Sequence, residues 1–121
     1  MPQITIDERE LNVKFSIAEI LTGMRSNFKI PLSDVRGAQV TDKTFWHHLG
    51  LRIPGTGLPP FLVAGTYVKK GDRAYVCWNR KHAPIEITLG GDGYNRLVLS
   101  AGTAEEAKAL ASRINAFVSG A

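Results

Sequence analysis

Few residues in this chain have the types or spacing to do chemistry. The imidazoles are His47, His48 and His82, and the one thiol is Cys77. His47 and His48 are adjacent, so on a helical turn they diverge by about 100 degrees. A structural zinc site takes four well-spaced Cys or His ligands, and no metal site is predicted. Cys77 sits between Val76 and Trp78 in an alternating apolar run, which marks a small buried residue and not a nucleophile. The carboxylates Asp7, Glu10, Glu19, Asp34, Asp42, Asp72, Glu86 and Asp92 stand mostly beside turn residues. That placement suits solvated charge or turn capping better than an acid/base pair. Gly55, Gly57 and Gly65 open no helix after a strand, and no Gly-Lys-Ser/Thr follows them, so they form no phosphate loop. No Ser/His/Asp order surrounds a nucleophile elbow. The chain reads as non-catalytic, with no cofactor.

Two groups of residues suit binding instead. Lys69, Lys70 and Arg73 mark one hairpin, and Arg80 and Lys81 stand beside His82 at the next turn. In an up-and-down meander successive turns fall at opposite ends, so these clusters are expected to stay apart. Basic turns serve solubility and edge protection, or contact an anion. The other group is Trp46, His47, His48 and Arg52 in an irregular segment. Trp and Arg are frequent at binding hot spots, although Trp46 packing under its own loop is an equal alternative.

Composition narrows the field. The net charge is +4 with no run of like charges longer than two, so no nucleic-acid interface is expected. A single cysteine excludes an intramolecular disulfide and implies no oxidising compartment. Residues 1–7 lack the pattern of a secretory signal, and no stretch approaches the roughly 20 apolar residues of a membrane span. A cytoplasmic protein is the expectation. With 121 residues, 44% of them hydrophobic, the chain should form one domain over 1–121 with its core at about 11–118.

The elements that must position these residues follow from periodicity. Leu11, Val13 and Phe15 alternate with polar neighbours, the two-residue period of a half-buried strand. Capping chemistry at Ser16 and Glu19 then predicts a short helix through Met24. Phe28, Ile30 and Leu32 form a second strand, which Pro31 assigns to an edge or a strand end. A third strand spans 35–41, with Gly37 as a candidate bulge. Residues 44–49 suit one helical turn, and the Gly- and Pro-rich remainder to Pro60 suits a loop. Strands at 61–68 and 73–78 are joined by a hairpin turn at Lys70 and Gly71. In the latter, Ala74, Val76 and Trp78 take one face, with Tyr75 and Cys77 on the other. Strands at 85–89 and 97–99 make seven in all. A helix over 103–118 closes the chain: Ala107, Leu110, Ala111, Ile114, Phe117 and Val118 line one side, Thr103 and Glu106 form a reciprocal cap, and Gly120 is a stop.

Seven strands ahead of a single amphipathic helix resemble the pleckstrin-homology (PH) superfold. The resemblance is to small bacterial PH-like domains, through the stretches FKIPLSDVRGAQV (28–40), GLRIPGTGLP (50–59) and VAGTYVKKGDRAYVCW (63–78). It covers about 11–117. It implies a mainly β fold: a two-sheet sandwich or partly open barrel, closed at one end by the C-terminal helix, with a short helix between the first two strands. In lipid-binding relatives basic residues crowd the first connection. Here residues 16–24 carry none, and only Lys14, Arg25 and Lys29 flank them. The resemblance thus implies a non-catalytic interaction or self-assembly module, whose Pro31-containing edge pairs with a partner strand or a second copy. The alternative is a weak binder of an anionic membrane surface or small anion through Lys69, Lys70 and Arg73 or through Arg80 and Lys81.

Overall fold

The computed structural model describes residues 2–17, 27–43, 51–52, 62–91 and 93–120, with 51–52 and 62–64 described through their backbone. The expected short helix after residue 16 falls almost wholly outside the described residues, as do the helical turn at 44–49 and most of the loop to 60.

Nine strands and a long helix are described. They are β1 (Gln3–Ile6), β2 (Glu10–Lys14), β3 (Asn27–Pro31), β4 (Val35–Val40), β5 (Leu51–Arg52), β6 (Leu62–Lys69), β7 (Asp72–Asn79), β8 (Pro84–Leu89) and β9 (Arg96–Ser100), followed by α1 (Ala104–Gly120). Two exceed the seven expected. Gln3–Ile6 precedes the first expected strand, and Leu51–Arg52 lies within the expected loop. The first three strands form one sheet in the order β1-β2-β3, and the other six form a second in the order β4-β8-β9-β7-β6-β5. The second sheet is not an up-and-down meander: β9 lies between β8 and β7 and runs parallel to β7. The result is mainly β, two sheets and a C-terminal helix, and no barrel closes among the described residues.

Alternation along each strand builds the core. Leu11 and Val13 from the small sheet, with Phe15 just after β2, meet Tyr75, Cys77, Ile85, Ile87, Leu97 and Leu99 from the large one. Each fully buried Leu, Ile or Val contributes about 1.5–3 kcal/mol. Strand β7 is buried on both faces, divided as its alternation requires: Tyr75 and Cys77 face the main core, while Ala74, Val76 and Trp78 form a second cluster with Tyr67 and Val98. Cys77 is 2% exposed, a buried small residue as expected.

The turns follow local chemistry. Lys69 pairs with Asp72, leaving a two-residue connection at Lys70 (φ 50) and Gly71 (φ 83). Two successive positive φ values suit the right-handed twist of the flanking strands, and glycine carries the second without a Cβ clash. The register shift between Val35 and Gly37 is the expected bulge.

Helix α1 begins at the reciprocal cap: the Thr103 N–H donates to Glu106 Oε1 and the Glu106 N–H to Thr103 Oγ1, both at 3.2 Å. Ala107, Ala111 and Ile114 enter the main core, with Leu110, Phe117 and Val118 packed against it, and the helix extends through Gly120. Its polar side does further work. The Ala38 N–H donates to Asn115 Oδ1, and Asn115 Nδ2 donates to the Ala38 carbonyl, both at 2.8 Å. Ala38 belongs to β4, an outer strand of the large sheet, so this side-chain amide bonds it as a neighbouring strand would.

Candidate functional site

The helix amide engages the β4 edge, and the edge at β3 differs. Leu32 donates to the Arg9 carbonyl at 2.9 Å. Stepping back two residues at a time, the register makes Ile30 and Leu11, then Phe28 and Val13, mutually bonded pairs. Phe28 and Ile30 thus direct backbone groups towards β2, and Asn27, Lys29 and Pro31 direct theirs away. Lys29 has no hydrogen-bond or ion-pair partner among the described residues, and no described strand pairs with the outer side of β3. Pro31 carries no N–H to leave unpaired, which is why proline is tolerated there.

A groove of about 300 Å³ runs beside this edge, walled by the chain between β8 and β9. Phe28, Ile30, Leu89 and Tyr94 give it apolar walls, and Asp34 lies at one end. The walls are positioned by bonds across the fold. Gly90 N–H donates to the Asp34 carbonyl at 2.8 Å, and Asn95 N–H to the Arg73 carbonyl at 2.8 Å. Tyr94 packs edge-on against Phe28 at 5.8 Å and against Tyr75 at 5.1 Å, and its hydroxyl lies 3.0 Å from Thr66 Oγ1. These contacts hold the ring in place. The Arg73 guanidinium sits 4.9 Å from the Tyr94 ring centroid, within cation–π range.

The residues singled out from sequence divide among several places. Arg73 reaches the groove through Tyr94, and Lys69 and Lys70 are exposed at the tip of the same hairpin. Arg80 and Lys81 are exposed past the far end of β7, about 23 Å away at 3.3 Å per residue. The two basic clusters are separate, although the sheet is no meander. Arg52 lies in β5, paired with Tyr67. Trp46, His47 and His48 lie outside the described residues. His82 is half-buried in the turn after β7; its carbonyl accepts a bond from Trp78 Nε1 at 2.8 Å, and its Nδ1 is buried without a partner among the described residues. Among the described residues no three His, Cys, Asp or Glu side chains are grouped to hold a metal, and no helix is long and apolar enough to cross a membrane.

Lys29, Phe28 and Tyr94 were not on the expected list. Pro31 was the available signal, since it assigned its strand to an edge. Tyr94 gave none, because its meeting with Phe28 depends on strand order.

The other outer strand of the small sheet, β1, borders a cavity of about 560 Å³, where Gln3, Thr5, Ser100 and Glu106 stand among Ile4 and Leu110. Among the described residues it has no comparable aromatic wall. Elsewhere on the large sheet Arg96 joins Asp72 at 2.6 Å and Glu86 at 3.6 Å, a half-buried chain of charges that neutralises Asp72 beside the basic hairpin. No protein-family model, curated protein or solved structure matches the chain.

Proposed function

We propose that this chain is a non-catalytic, PH-like interaction module that accepts an extended protein segment as an added strand along β3. The observation that carries the reading is the pairing of an outward-facing strand edge with an apolar groove beside it. Main-chain bonds to such an edge supply affinity, and pockets for alternate side chains supply specificity. The β3 span lining the groove, 28–31, accommodates about four residues of an extended partner, roughly 13 Å. The contrast with β4, whose backbone Asn115 already engages, further supports β3 as the receptive edge.

The test is panning of a random linear peptide library against the full chain and its Lys29→Pro variant. Proline at 29 removes the outward N–H while leaving the bonds to β2 intact. Peptides retained by the wild type and released by the variant support the reading, provided the variant keeps the wild-type far-ultraviolet circular dichroism. Peptides retained equally by both refute it. A second reading draws on the exposed Lys69, Lys70 and Arg73: contact with an anionic membrane surface. Co-sedimentation with phosphatidylserine vesicles but not phosphatidylcholine vesicles, lost as salt rises, would favour it.

A further inference from the structure

The charge around the β3 groove specifies what kind of strand it takes. Lys29 lines the groove, Arg73 lies over its Tyr94 wall, and neither is ion-paired among the described residues. Lys69 and Lys70 are exposed at the tip of the hairpin that carries Arg73. Asp72, the carboxylate nearest them in that hairpin, is held by Arg96 at 2.6 Å. Among the described residues the carboxylate lining the groove is Asp34, which lies beyond the Pro31 end of β3. Among the described residues the charges of Lys29 and Arg73 therefore have no ion-pair partner.

A second copy of this chain fits the edge poorly. The longest antiparallel self-pairing of Asn27–Pro31 centres on Lys29 and sets Lys29 directly opposite its own copy. Like charges directly opposite destabilise a strand pair. The same register faces Asn27 with Pro31, which has no N–H to donate.

Resting on the proposed edge pairing, we infer that the β3 groove takes an acidic extended segment of a different protein. That segment sets an aromatic or aliphatic side chain against Phe28 and Tyr94, and a carboxylate against Lys29 and Arg73. The apolar residue supplies buried area, and the carboxylate supplies selectivity and association rate.

The experiment uses synthetic peptides of alternating valine or phenylalanine with glutamate, and the same peptides with lysine for glutamate. Each is titrated into the full chain and into Lys29→Glu, with amide spectra recorded. The expected result is binding of the glutamate series with perturbation at Lys29 and Tyr94, and weakening of about tenfold in Lys29→Glu. The variant should prefer the lysine series. Equal binding of both series at the β3 edge would overturn the acidic preference and leave the edge reading standing. Failure of both series, with a concentration-dependent dimer perturbed at Lys29, would overturn the inference in favour of self-pairing. Failure of both without a dimer would overturn the inference and the edge reading together.

Discussion

Replacing Asn115 tests how the helix is tied to the sheet. Its amide makes two 2.8 Å bonds to the backbone of Ala38, one donated and one accepted. A net value of about 0.5–1.5 kcal/mol per bond makes the pair worth roughly 1–3 kcal/mol. Alanine is the better helix former by up to about 0.7 kcal/mol, which offsets part of that loss. Asn115→Ala should therefore lose about 0.5–2 kcal/mol net. Asn115→Ser, with a propensity near that of asparagine, should lose about 1–3 kcal/mol. For a chain of this size each kcal/mol shifts Tm by about 3–6 °C. Urea denaturation gives the stabilities, and amide exchange at Ala38 gives the local effect, which should accelerate in both variants. Wild-type stability in Asn115→Ser with unchanged exchange at Ala38 would refute the reasoning.

Three further outcomes are expected. The Asp7 carboxyl is held below its ordinary range by bonds from the Glu10 and Arg9 N–H groups. A lowered folded-state pKa contributes stability that is present above the unfolded value, near 3.8, and lost as pH falls through the folded one. Wild type should thus exceed Asp7→Asn in stability at neutral pH and converge with it in acid; a constant gap across that range would contradict the assignment. Tyr94→Phe removes the 3.0 Å contact with Thr66 and keeps the ring in the groove. It should cost about 1 kcal/mol in denaturation while leaving peptide binding within about twofold. Cys77, 2% exposed, should resist Ellman's reagent until the chain unfolds, and stoichiometric labelling of native protein would contradict its burial.

Much of the fold was legible in the sequence because its determinants are local. Thr103 and Glu106 sit three apart and cap each other, and the helical stripe of Ala107, Ala111 and Ile114 enters the core. The alternation of 74–78 divided its side chains correctly, because a strand's period is set by backbone geometry. Non-local pairing was not legible. Nothing near Arg96–Ser100 announces that it will insert beside β7 in parallel, since that depends on which sheet faces offer burial after the chain collapses. The four residues Gln3–Ile6 alternate for only two apolar positions, Ile4 and Ile6, too short a period to stand out. The candidate site shows the same division. Pro31 marked the edge from sequence, but the groove arises where Phe28 of the small sheet meets Tyr94 from the connection between β8 and β9 in the large one. The exposed basic turns were visible at once, whereas the fold determined which of them lies beside that groove.

The most direct test is hydrogen exchange at the Lys29 amide, with and without a peptide selected from the library by the full chain. If the peptide adds as a strand, exchange at Lys29 slows by at least tenfold while Ala38, already bonded to Asn115, is unchanged. Unaltered exchange at Lys29 with saturating peptide bound would place the contact elsewhere and contradict the account.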